Sequence, residues 1–312
     1  MFGRFASRIF QFRSHARVRR AFLYTFSRIG ARSATFGTPI LALSFFGSAK
    51  PAPDVVAGDP TKDFATDAVI READILYDAY LLDKLHDLLK QYRSATNPEL
   101  LWRLARVLCE LFKNTEDEKK KKQYLKEALN VVRDALQNQS EIGASYAVHK
   151  WYAIILNYWS EFQGSKAQIE SAQEVKTHFE RALQLNSLDA TTWHLLGIWH
   201  FEVADLSYVK RLAAKAFYGT PPSSTYKEAL RHFRKAEKIQ PNFYSANQYY
   251  MGLCLERIKN NNIDKQALEC YKRAFLAPVL SKDDIDTQKK AKDRLIAGYG
   301  FTQDMLDCLK SM

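Results

Sequence analysis

The sequence predicts an all-α chain of stacked helical hairpins, and three observations lead there. The first is a ladder: Ala229, Phe233 and Ala236 stand four and three residues apart on one helix face, and Pro241, five residues on, stops that helix. The second is its recurrence. Ala128, Val132, Ala135 and Ser140 repeat the ladder, as do Val175, Phe179, Ala182 and Ser187, and Ala267, Tyr271, Ala274 and Pro278 repeat it with a last step one shorter. The third is that the apolar period turns helical after Asp63 and stays so, which makes each ladder the second half of a helix pair. Arrays of such pairs bind partners more often than they catalyse reactions.

The chain has 312 residues, enough for two average domains or one solenoid that grows by stacking. Its 46% hydrophobic and 26% charged residues describe an ordinary folded protein. The net charge of +11 is unevenly placed: residues 1 to 53 carry nine basic side chains and no acidic one, leaving only +2 for the rest. A nucleic-acid binder would carry a basic stripe on its folded part, so no nucleic-acid partner is expected. Cys109, Cys254, Cys270 and Cys308 are too scattered for a zinc site and are expected as reduced, small apolar side chains.

Residues 1–50 are Arg-rich, Ser-rich and free of acid, the composition of a mitochondrial presequence. Val18, Phe22, Phe26 and Ile29 form an apolar stripe opposed by Arg13, Arg17, Arg20 and Arg28, which suits an import receptor or an anionic membrane surface; the alternative is a disordered basic arm. Ser33 to Ala49 is uncharged but at the lower edge of spanning length, interrupted by Gly37, Pro39 and Gly47. Residues 51–63 read as a linker, residues 64–280 as the helical repeats and residues 281–312 as capping helices.

Within the repeats, Ala73, Leu76 and Tyr80, then Leu85, Leu88, Leu89 and Tyr92, suggest a first pair broken near Leu82. Asn97 with Pro98 opens the next helix as a cap followed by proline. Lys119, Lys120, Lys121 and Lys122 follow Glu116, Asp117 and Glu118; they read as a solvated helix start, with a patch for an acidic partner as the rival reading. Tyr146 to Trp159 is so aromatic that it belongs at a helix-helix core, although Tyr158 or Trp159 could line a groove.

The join after Ala182 is the most specific. Trp193, Leu196 and Gly197 fall where a tetratricopeptide repeat places its tryptophan, leucine and glycine, the glycine letting two helices approach closely. In the next copy Asn247 stands where the tryptophan is expected, and Gly252 comes one residue late. Repeat lengths exceed the standard, with the largest surplus an insertion over residues 205–225, where Leu206 to Phe217 continues a helix and Gly219, Pro221 and Pro222 end it. Insertions on solenoids often decorate the binding face. Ser281 with Asp284 resembles a capping box at the start of the terminal cap.

No catalytic constellation emerges. There is no His-Glu-x-x-His, no phosphate loop and no Gly-x-Ser-x-Gly, and His178 and His232 each directly precede a ladder phenylalanine, as scaffold residues would. Neither a metal nor a cofactor is expected.

Residues Ala216 to Ile258, AFYGTPPSSTYKEALRHFRKAEKIQPNFYSANQYYMGLCLERI, resemble the regulator of microtubule dynamics family, as do His149 to Leu156 and Ala73 to Tyr80. The Gly-x-Pro-Pro-Ser-Ser-x-Tyr end of the insertion carries most of that similarity, which spans roughly residues 65 to 310. The resemblance implies a non-enzymatic protein associated with microtubules and the spindle, with some members linked to mitochondria. The sequence thus predicts a tetratricopeptide-like right-handed α-α solenoid of about five helix pairs, with an N-terminal extension and a terminal cap, and with function placed in its concave face and the insertion over residues 205–225. Its expected partners are proteins, tubulin among them by resemblance, met by the leader arginines and Lys119 to Lys122. The alternative is a mitochondrial adaptor whose groove, with aromatics such as Trp151, Trp159, Trp199 and Tyr208, takes a peptide or an apolar ligand.

Overall fold

The computed structural model describes residues 60–140, 142–206, 211, 215, 222–259, 264–279 and 282–311. The leader, with Arg13, Arg17, Arg20 and Arg28, and the stretch from Ser33 to Ala49 lie outside them. No described helix is long and apolar enough to cross a membrane.

Twelve α-helices run through the described residues, and their ends follow from local chemistry. α1 (Pro60–Asp78) begins inside the stretch read as linker. It is separated from α2 (Leu82–Lys90) by Tyr80, whose left-handed φ of 57° breaks the helix where the sequence suggested. α3 (Pro98–Asn114) starts with the Asn97 side chain accepting from the Glu99 amide at 2.8 Å. In α4 (Glu118–Asn138) Asp117 does the same for the amides of Lys119 and Lys120. α5 (Tyr146–Gln163) turns directly into α6 (Ser165–Leu185) at Gly164, whose φ of 100° only glycine adopts without strain.

α7 (Ala190–Ala204) is capped by Asp189, which accepts from the Thr192 amide. The helix stops at the edge of the insertion, and Arg211 donates to the carbonyls of Ala204 and Leu206 at 2.9 and 3.1 Å, covering that end. Of the helix expected over Leu206 to Phe217, Arg211 and Lys215 are helical and most other residues lie outside the described set. The insertion closes where it opened: the Tyr226 hydroxyl donates to Asp205 Oδ1 at 2.7 Å. α8 (Tyr226–Ile239) follows a full capping box between Thr225 and Glu228. α9 (Ser245–Ile258), α10 (Lys265–Leu276), α11 (Lys282–Tyr299) and α12 (Gln303–Ser311) complete the chain. Ser281, the expected cap of α11, lies outside the described residues; Asp284 instead accepts from the Ser245 hydroxyl at 2.7 Å.

Helices pair as α3 with α4, α5 with α6, α7 with α8 and α9 with α10, and each second helix also packs on the first helix of the next pair. That is the stacking of a tetratricopeptide-like solenoid. Every ladder residue from Ala128 to Ala274 except the turn positions is 1% exposed or less. Phe233 lies so close to Gly197 that a Cβ there would stand 2.7 Å from its ring, and Tyr271 meets Gly252 in the same way. The α9–α10 pair is therefore built like the α7–α8 pair, which corrects the register read from sequence. Counting back from Gly252, the position of Trp193 belongs to Gln248, not Asn247. The surplus residue is absorbed in the turn after Pro241, where Asn242 takes a left-handed φ of 55° and its amide donates to Glu237 at 2.9 Å.

Candidate functional site

The first helices of neighbouring pairs meet along the inner side, α3 on α5 and α7 on α9. α7 buries twelve of its fifteen residues, so it keeps no free face for a ligand. Some polar groups on these helices are spent on one another, whereas the Gln248 side-chain amide, 2% exposed on α9, has no hydrogen-bond partner. Lys113 pairs with the fully buried Glu110 at 2.8 Å and lies 5.8 Å from the centre of the Tyr158 ring. Burial pulls the Lys113 ammonium down, but Glu110 outweighs it and holds it well above its ordinary range. Burial drives the Tyr158 and Tyr244 phenols up, and Asp283 of α11 raises both further, so the far end of the solenoid reaches the same interior.

A ring column runs between α7 and α8. His232 stacks on Trp193 at 5.5 Å and on His200 at 4.6 Å, and neither of its ring nitrogens has a hydrogen-bond partner. His200 Nδ1 lies 2.7 Å from the Ser224 hydroxyl. Burial, with further repulsion from His200, pushes His232 down to about 3, and burial with nearby Lys176 takes His200 to about 4. Each is therefore neutral at ordinary pH. His194 faces the other way: its Nδ1 lies 3.1 Å from Asn247 Oδ1, while Asn247 Nδ2 donates to the Phe233 carbonyl and to Glu237. A similar contact joins the preceding pair, where His178 Nδ1 lies 2.9 Å from His149 Nδ1.

At the first pair, α1 is tied to α3. The Asp74 carboxylate takes a two-pronged contact from Arg103, at 3.1 and 2.8 Å, and a third from Arg106 at 3.2 Å. Arg103 also donates to Glu99 at 2.7 Å. The Arg106 guanidinium lies 3.5 Å over the Tyr77 ring and 4.9 Å from that of Trp102. Burial alone would raise the Asp74 carboxyl; the hydrogen bonds and charges of both arginines outweigh it and hold it low.

Of the residues singled out from sequence, Ala182, Ala229, Phe233 and Ala236 lie in the core, Gly197 lies under Phe233, and Trp193 sits half-buried with its Nε1 donating to the Ser187 carbonyl. Pro241 is exposed beyond α8. Lys119, Lys120 and Lys122 are exposed at the start of α4, whereas Lys121 is held by Glu118 at 2.8 Å. Arg13, Arg17, Arg20 and Arg28 lie outside the described residues. Of the aromatics weighed as groove residues, Tyr158 and Trp199 are buried, the Trp199 indole donating to the Ala172 carbonyl, Trp151 and Trp159 are half-buried, and Tyr208 lies outside the described residues. Sequence reasoning missed the Asp74, Arg103 and Arg106 cluster, because a salt link across 29 to 32 residues leaves no periodic trace.

Among the described residues, no group of three His, Cys, Asp or Glu side chains is placed to hold a metal ion.

Comparison with known proteins found both solved helical-repeat chains and closer sequence relatives. A Thermus thermophilus tetratricopeptide-repeat protein, TTC0263, aligns over 74% of the chain and 98% of its own length with a TM-score of 0.48 and 12% identity. YrrB, described as a tetratricopeptide-repeat protein with an unusual peptide-binding site, aligns over 75% and 97% with a TM-score of 0.41 and 17% identity. Regulator of microtubule dynamics protein 1 of Bos taurus is 39% identical over 241 residues, 76% of this chain and 73% of its own. The Mus musculus protein of that name is 42% identical over 198 residues, so the chain spans 63% of its length. Regulator of microtubule dynamics protein 3 of Xenopus laevis is 33% identical over 199 residues, 64% of this chain and 42% of its own. The family model described as regulator of microtubule dynamics protein 1-3 matches residues 69–299, and the chain belongs to that family.

Proposed function

We propose that the chain is a non-enzymatic interaction protein that associates with microtubules or the spindle through the outside of its helical-repeat shell. The observation that carries this reading is the contrast between its two sides. On the inner side α7 is packed by the chain's own side chains, while Lys119, Lys120 and Lys122 stand exposed at the start of α4. Exposed ammonium groups suit an acidic protein surface, and their attraction weakens with salt. The family supports the microtubule part of the reading. A groove that takes a peptide or apolar ligand is not favoured, because α7 has no open face to line it.

The test is co-sedimentation with microtubules of the whole chain and of a K119Q/K120Q/K122Q variant that also lacks residues 1–53. Both changes together should lower the pelleted fraction; an unchanged fraction would remove the mechanism. Residues 1–53 carry a separate proposal, mitochondrial targeting by a basic amphipathic leader. A reporter fused to that segment should reach mitochondria, and a diffuse cytosolic signal would refute it.

A further inference from the structure

We propose that Arg103 and Arg106 form a recognition site for the carboxylate of an acidic peptide segment, and that Asp74 of α1 occupies it as an internal stand-in. This does not depend on the microtubule reading, since the site is defined by contacts within the chain.

Four observations converge. The contact has the form of recognition: one guanidinium grips both carboxylate oxygens and a second guanidinium adds a third bond, with Trp102 and Tyr77 against the arginine planes. Donor capacity exceeds what Asp74 uses, because Arg106 Nε has no partner although the residue is only 5% exposed. An unmet donor of a buried guanidinium is costly, and an incoming acidic segment would meet it only once Asp74 withdraws. Asp74 is the accessible member, its side chain 34% exposed against 9% and 6% for the arginines. A competing carboxylate can therefore approach from the side of α1. Finally, α1 precedes the stacked pairs from α3 to α10 and joins α2 through a break at Tyr80, so its withdrawal would uncover Ala73 and Tyr77 while leaving those pairs in contact.

Charge selects the ligand class. Two arginines face Asp74 and Glu99, so displacing Asp74 leaves one uncompensated positive charge. A single carboxylate satisfies it, and its two coplanar oxygens match the fork by which Arg103 holds Asp74. Because Asp74 is itself a carboxylate on a peptide, a Glu- or Asp-rich segment is the occupant that reproduces its contacts.

The experiment is fluorescence anisotropy of a labelled oligoglutamate peptide with the full chain and its variants. If Asp74 competes for the site, Asp74→Asn should bind the peptide about tenfold more tightly than the unaltered chain. Adding Arg106→Gln to that variant should cancel the gain. Hydrogen exchange on the unaltered chain gives an arm that no variant's folding can spoil: saturating peptide should speed exchange of the α1 amides. Unchanged α1 exchange would overturn the proposal. So would an Asp74→Asn variant that folds and binds no more tightly, which is the behaviour of a purely structural ion pair. Inorganic pyrophosphate displacing the peptide as well as oligoaspartate does would overturn the carboxylate assignment.

Discussion

The Phe233 ring occupies the space beside Gly197 so completely that a Cβ on the glycine would stand 2.7 Å from Cε1. Phe233 is fully buried in the ladder, so it cannot swing aside without disturbing α7 and α8 together. This contact sets the spacing of the pair.

Gly197→Ala should therefore destabilise the chain even though alanine favours helix over glycine by about 1 kcal/mol. Overpacking a core costs about 1–3 kcal/mol, and a clash with a buried ring belongs at the upper end, about 2–3 kcal/mol, so after the helix gain a net loss of about 1–2 kcal/mol is expected from urea denaturation. Gly252→Ala should behave alike against Tyr271. A neutral or stabilising result at both positions would mean that the close approach is not required.

His232 presents the opposite case, a buried ring whose two nitrogens bond to nothing. Unsatisfied buried polar atoms cost about 1–3 kcal/mol, while the stack on Trp193 and His200 needs only a flat ring. His232→Phe should raise the denaturation midpoint. A lower midpoint would show that the nitrogens are satisfied.

Acid should unfold the protein through its histidines. His194, His200 and His232 are buried and neutral, shifted by burial to about 4, 4 and 3 from the ordinary 6.5. Below pH 6.5 the unfolded chain binds protons that the fold refuses, so stability is complete above that value and drains as pH falls toward about 4. Each tenfold loss of proton affinity on folding corresponds to about 1.4 kcal/mol per group, and the stacked pair of His200 and His232 should contribute less than two independent groups. Urea midpoints followed across this window should fall steeply, and a flat profile would contradict the burial of the three rings.

Asn247 should prove a structural keystone. It is fully buried, faces His194 and donates to Phe233 and Glu237, so Asn247→Leu strands partners on two other helices. A loss of about 2–3 kcal/mol is expected by thermal or urea denaturation. A change below about 0.5 kcal/mol would place the residue among ordinary surface positions.

Much of the architecture was legible because helix stacking is periodic. Ala229, Phe233 and Ala236 announced a buried stripe by spacing alone, and Trp193, Leu196 and Gly197 announced the helix that meets it. Gly252 misled only because a turn can absorb one residue in a left-handed conformation at Asn242, which helical spacing does not register. The polar contacts were hidden for a different reason. His194 and Asn247 are 53 residues apart, Asp74 and Arg103 are 29 apart, and specific pairings across such distances depend on how helices stack rather than on local pattern. The exposed lysines were readable as residues, but only the capping by Asp117 and the pairing of Lys121 show which of them remain available.

If an acidic partner is met on the outside of the shell at the start of α4, the inner face should stay closed when that partner binds. Hydrogen exchange of the whole chain with and without microtubules tests this most directly. Slowed exchange around Lys119 to Lys122 and no change in α7 or α9 are expected. Protection of α7 and α9 with α4 unaffected would contradict binding through the outer lysines.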